Sequence, residues 1–268
     1  SSTTQGAERR REHPLRTLET YDTASIAWAL THLDPTRTSR QMLVLAPSST
    51  ELRDSSLSFM IDEIAAELGL SPTHLVTSAR GLDLDGFEAQ YARAREANAA
   101  VLLLGTSFAY VYLLDALGLS RRPLPQGSTA MITGGFKGKT REVPEAELRA
   151  QLSAALELPP TRIVGEYGMT QLSSQLWEPS LEGRPGRYRA PPWLRVEAVD
   201  PSSLEPLPRG EMGIARFVDL ANVDGAIAVL TADRVRVVEG EVELLGRALG
   251  APPRGCSLAI EELMQERG

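Results

Sequence analysis

The sequence predicts an α/β fold, with a parallel sheet flanked by helices over residues 1–178 and a smaller, mostly β subdomain over residues 179–268. Up to residue 166, short apolar runs alternate with helical patterns, which is typical of parallel strands that are buried on both faces. Beyond residue 178, proline and glycine become dense, and turn signals separate short strand patterns.

The individual elements follow from the spacing of apolar residues, because helices repeat every three to four positions and buried strands are continuous runs. The predicted helices of the first part cover residues 18–33, 57–68, 87–97, 108–117 and 145–156, and its strands cover residues 41–46, 100–104, 128–133 and 162–167. In the second part, strands are predicted over residues 194–199, 213–218, 226–231 and 242–245, followed by an amphipathic helix over residues 258–265.

The composition excludes several classes of function. The 28 basic and 35 acidic side chains give a net charge of −7, and a net acidic chain lacks the basic face that nucleic-acid binding requires. The single cysteine, Cys256, excludes an intramolecular disulfide and a cysteine zinc cluster. The most apolar run, residues 99–114, is too short and too interrupted to span a bilayer, and the first residues carry no apolar signal core. We therefore expect a cytoplasmic protein without a membrane span.

Polar, glycine-containing loops follow three of the predicted strands. These loops are Gly105–Ser107, Gly134–Lys137 and Gly168–Thr170. Because open parallel sheets bind ligands at the carboxyl ends of their strands, the three loops predict a ligand site. The second loop also contains Lys137, which is one of only two lysines in the chain and is therefore a candidate functional residue.

Further motifs fit the parts of a nucleotide. A hydroxyl-rich N-terminal stretch could wrap a phosphate or could simply be solvated; its members are Ser1, Ser2, Thr3, Thr4 and Gly6. Tyr167 beside Gly168 suits stacking on a flat base, and Thr170 could reach a phosphate oxygen. Asp233 follows a predicted strand and could accept two ribose hydroxyls, with Arg247 beside it. Each motif taken alone also fits an ordinary loop or turn.

In this order along the chain, the motifs resemble the adenylate-forming superfamily of acyl and aryl ligases and, within it, the LuxE-type acyl-protein synthetase family. Six stretches carry the closer resemblance, namely residues 55–62 (SSLSFMID), 105–108 (GTSF), 133–138 (TGGFKG), 166–170 (EYGMT), 219–222 (DLAN) and 254–257 (RGCS). The resemblance covers nearly the whole chain. It implies the large domain of adenylate-forming enzymes, in an N-terminally incomplete form.

The resemblance implies ATP-dependent activation of a fatty acid. The carboxylate of the acid attacks the α-phosphate of ATP and gives an acyl-adenylate and pyrophosphate; a cysteine thiolate then takes the acyl group as a thioester. Cys256 matches the acyl-carrying cysteine of the family. In the relatives a reductase protein receives the acyl group, and magnesium would neutralise the phosphates of ATP.

The resemblance also implies roles for individual residues. Those that would bind nucleotide or line the acyl pocket are Ser1, Ser2, Thr3, Thr4 and Gly6 in the phosphate loop, then Gly134, Gly135, Phe136, Tyr167, Gly168, Met169, Thr170, Gln171, Asp233 and Arg247. The superfamily usually has a magnesium-binding glutamate where this chain has Gln171, so Glu166 is the predicted metal contact. Lys137 has no certain family role, and we predict that it contacts a phosphate or carboxylate.

Two other functions remain open. The chain could be an acyl- or aryl-CoA ligase, in which coenzyme A replaces the protein thiol, or a non-catalytic nucleotide-binding subunit, which Gln171 favours. A serine-hydrolase triad is disfavoured because none of the three histidines lies in a nucleophile-elbow context. Of these, His32 and His74 are expected on helix or loop surfaces.

Overall fold

The computed structural model describes residues 15–77, 79–134 and 143–248 and is built around one large mixed β-sheet. The helices in these residues are α1 (Glu19–Leu33), α2 (Ser56–Leu68), α3 (Leu84–Ala97), α4 (Ser107–Leu117) and α5 (Glu145–Leu156). The strands are β1 (Gln41–Leu45), β2 (Pro72–His74), β3 (Val76–Thr77), β4 (Gly81–Leu82), β5 (Val101–Thr106), β6 (Thr129–Thr133), β7 (Ile163–Tyr167), β8 (Leu176–Trp177), β9 (Tyr188–Arg189), β10 (Leu194–Val199), β11 (Met212–Asp219), β12 (Ala228–Val238) and β13 (Glu241–Arg247).

The large sheet changes from parallel to antiparallel at β7. Its eleven strands lie in the order β10-β11-β12-β13-β9-β8-β7-β6-β5-β1-β2. The ladders among β2, β1, β5, β6 and β7 are parallel, whereas those from β7 through β8 and on to β10 are antiparallel. One continuous set of backbone hydrogen bonds therefore joins the parallel half to the β-rich half, and β7 lies at the junction.

Local sequence explains where the helices begin and end. The Ser55 side chain accepts a hydrogen bond from the backbone of Ser58 at the start of α2, and Gly69 ends this helix in the left-handed conformation, with φ of +64°. The Asp83 carboxylate caps α3 in the same way by accepting from the Gly86 N–H. This cap is the reason why α3 begins at Leu84, before the predicted start at residue 87.

Two hydrophobic clusters form the core of the described residues. The larger cluster surrounds the parallel strands and includes fully buried side chains such as Leu43, Leu103 and Met131. The smaller cluster lies between the antiparallel strands and the segment that follows β7, and Phe217 and Val235 are fully buried in it. Burial of apolar surface on this scale is the main favourable contribution to folding.

The predicted fold class is confirmed, and each predicted helix and strand within the described residues is present, with three differences. The strand predicted over residues 226–231 is instead β12, so the expectation that Asp233 follows a strand is wrong: Asp233 lies within β12 at an irregularity in the ladder to β13. The short strands β2, β3, β4, β8 and β9, of two or three residues each, were not predicted, because so short a segment shows no pattern of apolar residues. The expected surface position of His32 is also wrong, since this side chain is buried on α1.

No helix within the described ranges is both long enough and apolar enough to cross a membrane. The terminal helix predicted over residues 258–265 lies outside these ranges.

Candidate functional site

The candidate site lies at the carboxyl end of β7, where the Glu166–Gln171 motif passes from strand into loop. Glu166 and Tyr167 are the last two residues of β7, and the next four form the start of the loop. The neighbouring parallel strand β6 ends at Thr133, which pairs in register with Glu166. The prediction of a loop over Gly105–Ser107 is wrong, because Gly105 and Thr106 belong to β5 and Ser107 begins α4. Ser107 still reaches this edge of the sheet, where its hydroxyl donates to the carbonyl of Gly134 over 2.6 Å.

Tyr167, Asp233 and Arg247 form a hydrogen-bonded chain across the two halves of the sheet. The Tyr167 hydroxyl donates to Oδ2 of Asp233 over 3.0 Å, and Nη1 of Arg247 donates to Oδ1 of Asp233 over 2.9 Å. Asp233 and Arg247 are paired across β12 and β13. Burial, followed by the adjacent Asp233 carboxylate, raises the pKa of Tyr167 well above its ordinary value of 10.0, so the phenol remains a donor.

Packing holds the Tyr167 ring in place. It stacks against Phe217 of β11, with ring centroids 6.0 Å apart and planes inclined by 23°. Phe217 is fully buried, so one partner of this aromatic pair is fixed within the core. The ring that the sequence predicts to contact a nucleotide base is therefore held by a side chain from the antiparallel half of the sheet.

Glu166 is a buried carboxyl at the other side of the motif. Only 6% of the residue is exposed, and the Thr133 hydroxyl donates a hydrogen bond to it. Burial raises the pKa of Glu166 from 4.5 to about 7, and the Thr133 hydrogen bond opposes this effect. The backbone of Gly168 passes so close that an added Cβ would lie 2.6 Å from Oε1 of Glu166, so a larger residue here would displace the Glu166 carboxyl.

The loop after β7 is held by two buried side chains, one from the last residue of β11 and one from the connection that follows it. Asp219 accepts hydrogen bonds from the backbone N–H groups of Ser173 and Ser174, over 3.0 and 2.9 Å. Asn222 donates from Nδ2 to the Gln171 carbonyl over 2.8 Å and accepts from the Ser173 N–H over 2.7 Å. Both residues belong to the DLAN stretch, which indicated the family without suggesting this contact.

An ion pair supports β7 from its side nearest β8. Glu178 is fully buried, and its Oε2 lies 2.6 Å from Nη2 of Arg149 on α5. The same carboxylate accepts hydrogen bonds from the backbone N–H groups of Gly165 and Gly186, over 2.7 and 2.8 Å. A buried carboxylate with this many donors is well compensated, so it fixes β7 against α5 and the β8–β9 segment.

The family model described as acyl-protein synthetase, LuxE, matches residues 22–265, which is most of the chain. The chain belongs to the LuxE acyl-protein synthetase family. This finding confirms the resemblance that the six stretches indicated.

Two curated relatives carry the name long-chain-fatty-acid–luciferin-component ligase. The protein from Vibrio harveyi is 25% identical over 205 residues, which cover 72% of this chain and 53% of the relative. The protein from Aliivibrio fischeri is 23% identical over 211 residues, which cover 74% of this chain and 54% of the relative. The chain thus spans about half the length of the curated relatives that it matches.

Solved structures share the fold. ATP-bound MatB from Rhodopseudomonas palustris superposes with a TM-score of 0.61 at 19% identity and covers 85% of this chain and 44% of its own. The amide bond synthetase McbA from Marinactinospora thermotolerans gives a TM-score of 0.59 at 17% identity, over 85% of this chain and 44% of that chain. McyG A-PCP, complexed with phenylalanyl-adenylate, gives a TM-score of 0.61 at 16% identity, over 86% of this chain and 43% of that chain.

Within this LuxE family member, the structure brings some predicted site residues together. Tyr167, Asp233 and Arg247 are in hydrogen-bond contact, and Thr170 follows Tyr167 by three residues in the same partly exposed loop. Met169 packs against the smaller hydrophobic cluster. The remaining predicted residues lie outside the described ranges; they are Ser1, Ser2, Thr3, Thr4, Gly6, Gly135, Phe136, Lys137 and Cys256.

Several residues that shape the site received no role from the sequence. Thr133, Phe217 and Asn222 contact the motif and Asp219 contacts the loop that follows it, but each is at least 33 positions away from its partner in the chain. Among the described residues, no group of three or more His, Cys, Asp or Glu side chains is arranged to hold a metal ion.

Proposed function

We propose that the chain carries the activating site of an acyl-protein synthetase, which converts a fatty acid and ATP into an acyl-adenylate and passes the acyl group to a cysteine thiol. The family model and the names of the two curated relatives support this reaction and its substrate class. The observation that carries the proposal is the Tyr167–Asp233–Arg247 arrangement beside the Thr170 loop, at the carboxyl end of β7.

This arrangement has free capacity for a nucleotide. Among the described residues, each oxygen of Asp233 accepts one hydrogen bond, and a carboxylate offers about four acceptor positions, so the two ribose hydroxyls can still donate to it. Nε of Arg247 is buried and has no hydrogen-bond partner in the part of the chain that the structure describes. Because this atom is closed off from solvent, a ligand oxygen would satisfy the donor only if the Arg247 side chain turned towards the ligand.

The site would position ATP for attack by a carboxylate. With the base beside Tyr167 and the ribose on Asp233, the α-phosphate would lie near Thr170. The fatty-acid oxygen forms a bond to the α-phosphorus while the bond to pyrophosphate breaks, which leaves AMP as a good leaving group on the acyl carbon. Holding the two reactants together in this way supplies much of the rate enhancement.

Magnesium would be held mainly by the phosphates of ATP. Mg²⁺ commonly uses one or two protein carboxylates together with substrate phosphates, so a large protein cluster is not needed. Glu166 is the carboxylate of the motif, but its pKa of about 7 keeps a substantial fraction protonated at neutral pH. It would contribute charge to a metal only in its ionised form.

The second half-reaction would use Cys256. Its thiolate attacks the acyl carbon of the adenylate, AMP leaves, and the acyl group becomes a thioester on the protein. A reductase protein partner would then receive the acyl group. Because Cys256 is the single cysteine in the chain, one substitution removes the thiol acceptor completely.

The decisive experiment is intact-protein mass spectrometry after incubation with ATP, magnesium and fatty acids of graded length. We expect a hydroxylamine-sensitive acyl adduct on the unchanged chain and none on Cys256→Ser. If Cys256→Ser instead forms acyl thioesters of free coenzyme A at full rate, the protein is an acyl-CoA ligase. If no acid supports ATP–pyrophosphate exchange, the activating function is refuted and a non-catalytic nucleotide-binding role remains.

A further inference from the structure

We infer that Asp219 and Asn222 are positioning residues that fix the nucleotide-binding loop after β7 from the opposite half of the sheet. This inference rests on the proposed function, because it assigns to these two residues the placement of Thr170 and its neighbours. The observation behind this inference is that two fully buried polar side chains hold the loop through hydrogen bonds to its backbone.

Asp219 is a buried carboxylate whose protein contacts converge on this loop. The residue is fully buried, and its oxygens accept from the N–H groups of Ser173 and Ser174, from the Ser174 hydroxyl at 2.7 Å and from the Ala221 N–H at 3.0 Å. Burial of a charge is costly unless hydrogen bonds compensate it. Three of the four donors come from residues 173 and 174, so the compensation depends on the loop staying in this conformation.

Asn222 secures the residue directly after Thr170. Its Nδ2 donates both to the Gln171 carbonyl and, over 3.0 Å, to the Ala226 carbonyl within its own connection. Its Oδ1 accepts from the Ser173 N–H. The residue is 1% exposed, so water cannot readily replace these bonds when they break. One side chain therefore uses both its donor and its acceptor to set the loop at residues 171 and 173.

The connection that carries these side chains is itself held in a closed shape. The Asp219 N–H donates to the Ile227 carbonyl over 2.8 Å, and the Asn222 N–H donates to the Asp219 carbonyl over 3.1 Å. In addition, Asp224 accepts a hydrogen bond from the Arg16 backbone over 2.9 Å and forms an ion pair with the Arg16 side chain. Hydrogen bonds thus hold the connection closed, and Asp224 ties it to the segment before α1.

The expected consequence is a change in nucleotide binding when the support is weakened. Thr170 lies between Tyr167, which is fixed by Phe217 and Asp233, and Gln171, which is fixed by Asn222. With the second anchor removed, Thr170 would sample positions away from the α-phosphate. A displacement of about 1 Å in a positioning element can cost on the order of 100-fold in rate.

Hydrogen exchange on the intact chain tests the anchoring directly. In Asn222→Ala, the backbone amides of residues 173 and 174 should exchange about 10- to 100-fold faster, because leaving a buried polar group unpaired costs about 1–3 kcal/mol. Asp219→Asn, which keeps the side-chain shape, should have the same effect at residues 173 and 174. Amides of β5 and β6 should exchange as before.

Asp200→Asn is the matched control. Asp200 also accepts hydrogen bonds from the backbone N–H groups of two serines, Ser202 and Ser203, but in an exposed turn after β10. This variant should leave the exchange of residues 171–174 unchanged. If residues 171–174 remain as protected in Asn222→Ala and Asp219→Asn as in the control, the inference is overturned.

ATP–pyrophosphate exchange tests whether the anchoring affects catalysis. We expect the KM for ATP to rise about tenfold or more in both variants, while the KM for the fatty acid stays within about twofold, because the loop faces the nucleotide. Equal effects on both substrates, or none, would refute the positioning role. A chain with no exchange activity at all would refute the proposed function, and the hydrogen-exchange result would still decide the anchoring.

Discussion

The buried carboxyl of Glu166 makes the stability of the protein depend on pH, and Glu166→Gln should remove this dependence. Burial raises the pKa of Glu166 from 4.5 to about 7 in the folded chain. Glutamine has the shape of the protonated acid and can still accept the hydrogen bond from Thr133, but it cannot ionise. The variant therefore isolates the ionisation of one side chain.

The direction in which stability changes with pH follows from whether the folded or the unfolded state holds the proton more tightly. Between pH 4.5 and about 7 the folded state keeps the proton of Glu166 while the unfolded state loses it, so the free energy of unfolding falls as the pH rises. Above about pH 7 both states are ionised and the loss is complete. At 1.36 kcal/mol per pKa unit, the full loss is about 3 kcal/mol.

Urea denaturation at pH 5, 6, 7 and 8 measures the effect. The free energy of unfolding of Glu166→Gln, minus that of the unchanged chain, should rise by about 2.5 kcal/mol between pH 5 and pH 8, mostly below pH 7, because part of the full loss has already occurred at pH 5. Glu96→Gln removes an exposed carboxylate of α3 and serves as the control, with a difference that stays flat. A flat difference for Glu166→Gln as well would show that Glu166 is not held protonated, and the account of its burial would be wrong.

Three further predictions concern other buried or paired groups. Asp233→Asn removes a charge that Arg247 and a ribose would share, so isothermal titration should show the Kd for ATP increasing about tenfold or more, whereas an unchanged Kd would exclude Asp233 from the nucleotide site. Glu178→Ala leaves Arg149 buried without this partner and should lower the free energy of unfolding in urea by about 3–5 kcal/mol; a loss below about 1 kcal/mol would contradict its structural role. Burial lowers the pKa of His32 below its ordinary 6.5, so the unfolded state takes up a proton first and stability falls as the pH drops through 6.5; an NMR titration of the ring should give a midpoint below 6.5, and a midpoint above that value would disagree.

The sequence predicts the parallel half of the fold well, apart from its three-residue edge strand β2, because its signals are local. β1, β5, β6 and β7 are continuous apolar runs, and the helices between them have clear caps such as Ser55 and Asp83. The antiparallel half is harder to predict. β8 and β9 contain two residues each, and Trp177 is recognisable as a strand residue only through its pairing with Glu166 and Arg189. Pairing between residues this far apart cannot be recognised from the spacing of neighbouring residues.

The same distinction holds for the site. Tyr167, Asp233 and Arg247 were predicted to act together because the order of motifs resembled a known family, and the structure places them in contact. Asp219 and Asn222 were quoted for the same resemblance but were assigned no role. Their hydrogen bonds join residues 45 to 51 positions apart, and a single sequence contains no information on contacts over that distance.

The continuity of the large sheet has a consequence for how the protein can be divided. Cleavage after Glu178 would detach β9 from β8 and leave the fully buried Trp177 on a newly exposed edge strand. Unpaired edges with apolar side chains are templates for intermolecular strand addition. The fragment ending at residue 178 should therefore self-associate when it is produced alone, and this association should be suppressed when the remaining residues are supplied to complete the ladder.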